Sequence, residues 1–172
     1  MRGHSNQLFS DGELSSVLDA KIADIKDSVY AISREQFLST SIDTLVEHLL
    51  GPLTIEPLVL HEDQMQMDHA EAQVDVTGRF DYDFGQGGRI RTSGHRLTFY
   101  LPYTGDSGLW KLRPNRWSSV MPRGDVDSRR STLIISLTDT ANTEPERYKQ
   151  GLDSTLQGIR QMLAAQSQML SQ

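Results

Sequence analysis

One stretch of the chain concentrates side chains that could do chemistry. The segment LHEDQMQMDHAEAQVDV, residues 60–76, holds two histidines and five carboxylates. Imidazole and carboxylate groups are ligands for borderline and hard metal ions. The candidate metal ligands are His61, Asp63, His69 and Glu71. A site of this composition would belong to a metal-dependent hydrolase.

The spacing of these residues argues against a metal site. The histidines are eight residues apart, so they do not form the His-Glu-x-x-His pattern of a zinc helix. Along one strand, at about 3.3 Å per residue, the candidate ligands would be too far apart to share a metal. Only a turn near residues 64–67 could gather them. We therefore expect no metal, cofactor or catalytic residue, and we interpret the segment as a polar loop entering a strand.

A second candidate is the block of basic and aromatic residues that follows. Residues 85–130 hold nine basic and three acidic residues, whereas residues 61–84 hold one basic and seven acidic ones. Arginines interleaved with aromatic rings suit a single-stranded nucleic-acid or nucleotide binder. The candidate residues for that function are Arg89, Arg91, Arg96, Tyr100, Lys111, Arg113 and Arg116.

The charge blocks also have an explanation without chemistry. A nucleic-acid domain is usually basic throughout, yet this chain has a net charge of −6 and a pI near 5.3. Opposite charges on neighbouring strands stabilise their pairing. We therefore predict that Asp75, Asp81 and Asp83 face the arginines of residues 89–113.

The elements that would position these residues follow from periodicity. Residues 70–84 alternate strictly, with apolar or small side chains at even positions, which indicates a bent strand or a hairpin turning through residues 77–79. The hairpin would pair Val76 with Phe80 and Val74 with Tyr82. Residues 53–60, interrupted by Pro57, suit an edge strand or an extended linker. Further strands are predicted around 96–103, 109–113 and 131–138, with short connections typical of an antiparallel meander.

Helices are predicted at both ends of the chain. Ser10 and Ser33 each stand three residues before a Glu or Gln, as in a capping box, and apolar stripes follow both. These patterns predict two N-terminal helices, or one long helix interrupted near Ser33, ending at Gly51-Pro52. A third box at Thr143, with Pro145 in the first turn, opens a long C-terminal helix.

Together these patterns predict the fold class and the organisation of the chain. We expect an α+β protein with two N-terminal helices, an antiparallel sheet or partly open barrel of four to five strands, and a long C-terminal helix. The chain of 172 residues fits one domain. It divides into a helical region at 10–50, a β region at 53–138 and an amphipathic helix at 143–172. The even face of 70–84 and the odd faces of 97–103 and 131–137 should form the core.

The chain lacks cysteine, a membrane-spanning segment and a signal peptide, and each absence excludes a class of protein. The chain has no cysteine, which excludes disulfides and cysteine nucleophiles. No apolar run is long enough for a membrane helix, and the N-terminus lacks the apolar core of a signal peptide. We expect a soluble cytoplasmic protein without a membrane partner.

The segments FYLPYTGDSGLWKLRP and MPRGDV resemble a pattern in larger uncharacterised bacterial multidomain proteins. The resemblance covers about residues 55–170. It implies that this chain is an N-terminal module, with no catalytic residues carried over. The stripe of the last helix also continues close to residue 172, as in a helix that packs on a partner.

The leading hypothesis is a non-enzymatic protein–protein interaction or oligomerisation module. It would associate with itself or with a partner protein through its amphipathic terminal helices. The interface residues predicted on the last helix are Leu156, Ile159, Leu163 and Leu170.

Overall fold

In the computed structural model, which describes residues 7–79, 88–115 and 121–171, the chain forms a five-stranded antiparallel sheet, a two-stranded parallel ladder and helices around them. The helices are α1 (Leu14–Ala31), α2 (Arg34–Ser39), α3 (Ile42–Leu50) and α4 (Pro145–Leu170). The strands are β1 (Gly12–Glu13), β2 (Val59–Leu60), β3 (Gln66–Asp75), β4 (Arg91–Thr104), β5 (Leu112–Arg113), β6 (Asp125–Asp127) and β7 (Thr132–Thr140). The predicted α+β class is therefore confirmed, and the sheet is open rather than a barrel.

The five-stranded sheet is built around β4. Both β2 and β3 pair with one edge of β4, while β7 pairs with the other edge and β6 lies beyond β7. Since β7 pairs directly with β4, the order is not the simple meander that short connections suggested. The intervening chain instead forms a 3₁₀ turn, Ser107–Lys111, and the short strand β5.

The connection from β3 to β4 begins with a tight turn. Gly78 has φ +88°, a conformation that favours glycine. The chain returns at Ile90, whose carbonyl accepts a hydrogen bond from the Val76 N–H. Val74 stands opposite Thr92. The predicted partners Phe80 and Tyr82 lie outside the described residues.

The core lies between one face of the sheet and α4. The odd residues of β4 and β7 supply the sheet side, with Leu101, Leu133 and Ile135 all buried. This part of the core prediction is confirmed. Antiparallel partners share a face, and Phe99 stands opposite Met67. The odd residues of β3 therefore lie on the face that carries the main core, although Met67 there is 61% exposed. The prediction of a buried even face is confirmed for Val74 and Val76, which are 8% and 0% exposed but do not belong to the main core cluster.

The N-terminal segment closes the end of the core. The Phe9 N–H donates to the Trp110 carbonyl, and residues 12–13 pair in parallel with β5. Glu13 also forms an ion pair with Arg113 at 2.6 Å. Because these residues belong to a β ladder, the helix predicted to start at Ser10 begins instead at Leu14, without a side-chain cap.

The last helix lies within the predicted residues 143–172. Pro145 occupies its first turn, although Glu144 rather than Thr143 precedes it as the N-cap. The Tyr148, Leu152 and Met162 side chains are buried against the sheet. Among the described residues, no helix combines the length and apolarity needed to cross a bilayer.

Candidate interaction surface

The helices α1, α2 and α3 form an arm, residues 14–50, attached to the body of the protein at its two ends. Leu14 is fully buried in the core and Leu18 packs against it. After the arm, Leu58 returns the chain to the core. Between these anchors the described side chains are mostly exposed or half-buried.

Serine caps divide the arm into three helices. Ser33 caps α2 with the predicted capping box, since its Oγ accepts from the Gln36 N–H at 3.2 Å while Gln36 Oε1 accepts from the Ser33 N–H. Ser41 caps α3 through the Thr44 N–H. The predicted second helix is thus broken at Thr40–Ser41. The third helix, α3, ends at Leu50 without the predicted left-handed glycine. Gly51 has φ −51° and begins a 3₁₀ turn instead.

The helices α1 and α3 each carry a stripe of apolar side chains, and only one flank of each stripe is covered. Ile25 of α1 and Ile32, the residue that follows the helix, line a cavity of about 740 Å³ between the helices. Leu45 and Leu49 line the same cavity from α3. The two helices therefore direct one flank of their stripes toward each other.

The other flank is exposed. The described part of the chain has eleven large hydrophobic side chains classed as exposed, and eight of them lie in the arm. They are Ile22, Val29, Tyr30, Phe37, Leu38, Ile42, Val46 and Leu50. Exposed apolar side chains concentrated in one part of a chain suit an interaction site.

Unlike the apolar residues of the arm, those of the last helix pack into the core of the same chain. Leu156 is 4% exposed and Ile159 is fully buried in the core of the same chain. Leu163 and Leu170 are partly buried and pack against that core. These four predicted interface residues therefore stabilise the chain's own fold, and most of the large exposed hydrophobic side chains lie on the arm.

An ion pair joins α4 to the 3₁₀ turn Glu62–Gln64. Arg160 donates from Nε to Glu62 at 2.7 Å and from Nη2 to the other carboxylate oxygen. This hydrogen-bonded pair lowers the pKa of Glu62 and raises the pKa of Arg160. Arg160 therefore holds the loop that contains the first half of the histidine segment.

The structure separates the predicted metal ligands. His61 Nε2 lies 3.2 Å from Thr104 Oγ1, and Asp63 belongs to a 3₁₀ turn. His69 and Glu71 lie on β3. Within the described ranges, no group of three or more potential ligands could hold a metal ion.

One histidine contact was not predicted. His69 Nε2 lies 3.0 Å from His95 Nδ1, and the two rings are 4.9 Å apart between centroids. They are diagonal neighbours, because His69 pairs with Leu97 and His95 pairs with Glu71. Strand register creates this contact, and no local sequence pattern predicts the register.

The basic and aromatic candidates do not form one surface. Arg91 and Arg96 lie on opposite faces of β4 because their positions differ by an odd number. Arg113 pairs with Glu13, and Lys111 is exposed at the end of the 3₁₀ turn. Tyr100 is half-buried on the even face, Arg89 precedes β4, and Arg116 lies outside the described residues.

One of the three predicted aspartates, Asp75, has an arginine beside it. Asp75 stands directly opposite Arg91. Hydrogen bonds from Thr77 lower the pKa of Asp75, with smaller contributions from the positive charges of Arg89 and Arg91. Asp81 and Asp83 lie outside the described residues.

A scan of protein-family models and searches of curated proteins and solved structures found no match to this chain.

Proposed function

We propose that this protein is a non-enzymatic association module that forms a homodimer through its N-terminal arm. The main support for the proposal is that the apolar stripes of α1 and α3 are covered on one flank and exposed on the other. Two helices alone can cover only the flanks that face each other. Two arms packed together would form a four-helix arrangement that also covers the outer flanks.

The area available is suited to a stable dimer. The eight exposed side chains would each lose roughly 100 Å², about half of what a large aromatic side chain can bury. Their total is on the order of 800 Å², which equals the share that each partner contributes to a standard interface. A second copy of the chain supplies a surface of the same size and apolar character.

The sequence suggested association through the helices at both ends of the chain, whereas the proposed dimer uses only the N-terminal ones. The last helix contributes its apolar stripe to its own core, so association falls to the arm alone. The basic residues are dispersed over different faces, which leaves the nucleic-acid alternative without a continuous surface.

The test is the mass of the full chain in solution as its concentration increases. We expect a monomer–dimer equilibrium in light scattering or analytical ultracentrifugation. The double variant Ile42→Glu/Val46→Glu should be monomeric, because it places four charges per dimer in the interface. Both side chains are exposed in the monomer, so the variant should keep its fold, which circular dichroism would verify.

A matched control changes exposed apolar residues outside the arm. Val59 and Met67 are 51% and 61% exposed on the sheet, and Val59→Glu/Met67→Glu should leave the dimer intact. A wild-type chain that stays monomeric at high concentration would refute the proposal. A dimer that resists the arm variant but dissociates in the control would place the interface on the sheet edge instead.

A further inference from the structure

Two histidines meet on neighbouring strands of the sheet, outside the arm. His69 of β3 and His95 of β4 approach through Nε2 and Nδ1, which are 3.0 Å apart. The ring planes are inclined by 45° rather than stacked. Two nitrogen atoms that each lie about 2.0–2.1 Å from one zinc ion are about 2.8–3.4 Å apart at bond angles of about 90–110°. The observed separation is therefore one that a shared metal ion can bridge.

The same two nitrogen atoms share a proton when no metal is bound. A neutral imidazole has one N–H and one free lone pair, so one ring donates to the other. For both nitrogen atoms to bind an ion, the donor ring must carry its proton on its other nitrogen. His69 is exposed, so water can exchange this proton. Both rings remain neutral, and no charge is created.

The backbone holds the two imidazoles beside each other. The strands β3 and β4 pair at ten consecutive positions. On the other side of β4, strand β7 places Asp139 opposite His95. The Tyr148 hydroxyl also donates to the His95 carbonyl, at 3.4 Å. The two ligands therefore lie on paired strands, and rigid elements of this kind position metal ligands better than loops do.

The charges around the pair select the class of metal. Glu71 and Asp139 are the cross-strand neighbours of His95, and Asp139 is ion-paired with Arg79 and Arg147. Two carboxylates and two guanidinium groups cancel, so this surface does not favour a hard cation such as Mg²⁺, which requires oxygen ligands. Neutral imidazole nitrogen instead suits Zn²⁺, Ni²⁺ and Cu²⁺.

We propose that His69 and His95 form a two-histidine site for a divalent transition-metal ion of the zinc, nickel and copper class. The ligand atoms are His69 Nε2 and His95 Nδ1. Among the described residues no group of three histidine or acidic side chains could hold a metal ion, so water completes the coordination and binding is reversible. A bound ion would link β3 to β4. The site is independent of the arm and of the proposed dimer.

The test is a titration of the full chain with Zn²⁺, followed in the ¹H–¹³C correlation spectrum of the imidazole rings. The chain has five histidines, and single variants assign their signals. We expect the His69 and His95 signals to shift together and to saturate at a Zn²⁺ concentration that leaves the others unchanged. The proposal fails if these two signals do not shift, if Mg²⁺ acts as Zn²⁺ does, or if all histidines respond alike, which would indicate an adventitious ion only.

The matched variants are His69→Gln and His61→Gln. Each removes one imidazole beside β4, but His61 Nε2 lies 3.2 Å from Thr104 Oγ1 rather than from a second ring. His69→Gln should weaken Zn²⁺ binding by about tenfold or more, because a single imidazole loses the gain from chelation. His61→Gln should leave the affinity unchanged. His95→Gln should act like His69→Gln, and circular dichroism would verify the fold of each variant. Equal Zn²⁺ affinities of the His69 and His61 variants would overturn the proposal.

Discussion

A single buried amide shows how a residue can contradict its sequence pattern and still stabilise the fold. Gln166 interrupts the apolar stripe of α4, yet it is only 2% exposed. Its NH₂ group donates to the Leu109 carbonyl at 2.8 Å and to the Leu112 carbonyl at 2.6 Å. Gln166 therefore ties the end of the last helix to the 3₁₀ turn and to β5.

Replacing Gln166 with Leu should destabilise the protein by about 1–3 kcal/mol. The volume is nearly preserved, but two carbonyls lose their donor. Urea unfolding would measure the change. Gln168→Leu is the control, because Gln168 is exposed on the same helix and should change stability by less than about 0.5 kcal/mol. Equal effects of the two variants would contradict a structural role for Gln166.

Asp139 is the clearest acid-sensitive group. Burial alone would raise its pKa, but the Thr140 N–H and the ion pairs with Arg79 and Arg147 outweigh burial and lower it. The ion-pair distances are 3.0 Å and 3.4 Å. Because the folded-state pKa is lowered, the stabilisation is present above the unfolded pKa of about 3.9. It is lost as pH falls through the folded pKa.

Asp139→Asn should therefore cost about 1 kcal/mol at neutral pH, a modest value because both arginines are well exposed. The difference from wild type should shrink as the pH falls through the folded pKa. Unfolding free energies measured at several pH values would show this convergence. A difference that stays constant down to the acid limit would exclude Asp139 as the titrating group.

At the scale of elements, the arm and the sheet differ in how their hydrogen bonds are protected. The β4 and β7 strands pair over nine positions and cover a buried core. Within α2 and α3 no described residue is buried, and α1 has only Leu14. The arm therefore depends on local helix formation and capping, which are weak alone.

Amide hydrogen exchange should show this contrast. In dilute protein, amides in α2, α3 and the second half of α1 should exchange faster than those of β4 and β7 by roughly 100-fold or more. Raising the protein concentration should slow the arm selectively, because dimerisation covers it. Uniform slowing across the sheet and the arm would argue against an interface on the arm.

At the scale of the molecule, charge should act against association. Residues 14–50 contain six acidic and three basic residues, so two arms carry like net charge. Added salt screens this repulsion, while the apolar contact persists. The dissociation constant of the dimer should therefore fall by about threefold or more from low to high salt. Sedimentation at two NaCl concentrations measures it, and weaker association at high salt would point to ion pairs across the interface.

Features that depend on nearby residues could be predicted, whereas features that depend on distant residues could not. The strand at Thr132–Thr140, the capping box at Ser33 and Pro145 in the first turn of α4 all depend on neighbours within a few residues. They were predicted correctly. The helix start at Ser10 was not, because Gly12 and Glu13 pair with a strand one hundred residues later.

The sequence by itself determined the class of the fold, the apolar stripes and the separation of charge into blocks, because these depend on residue type and local spacing. Only the tertiary structure decided which side of each stripe is covered and which residues meet. Alternation shows that residues share a face, but strand register selects the face, and it joined His69 with His95. The same long-range packing took Leu156 and Ile159 into the core and left the arm exposed.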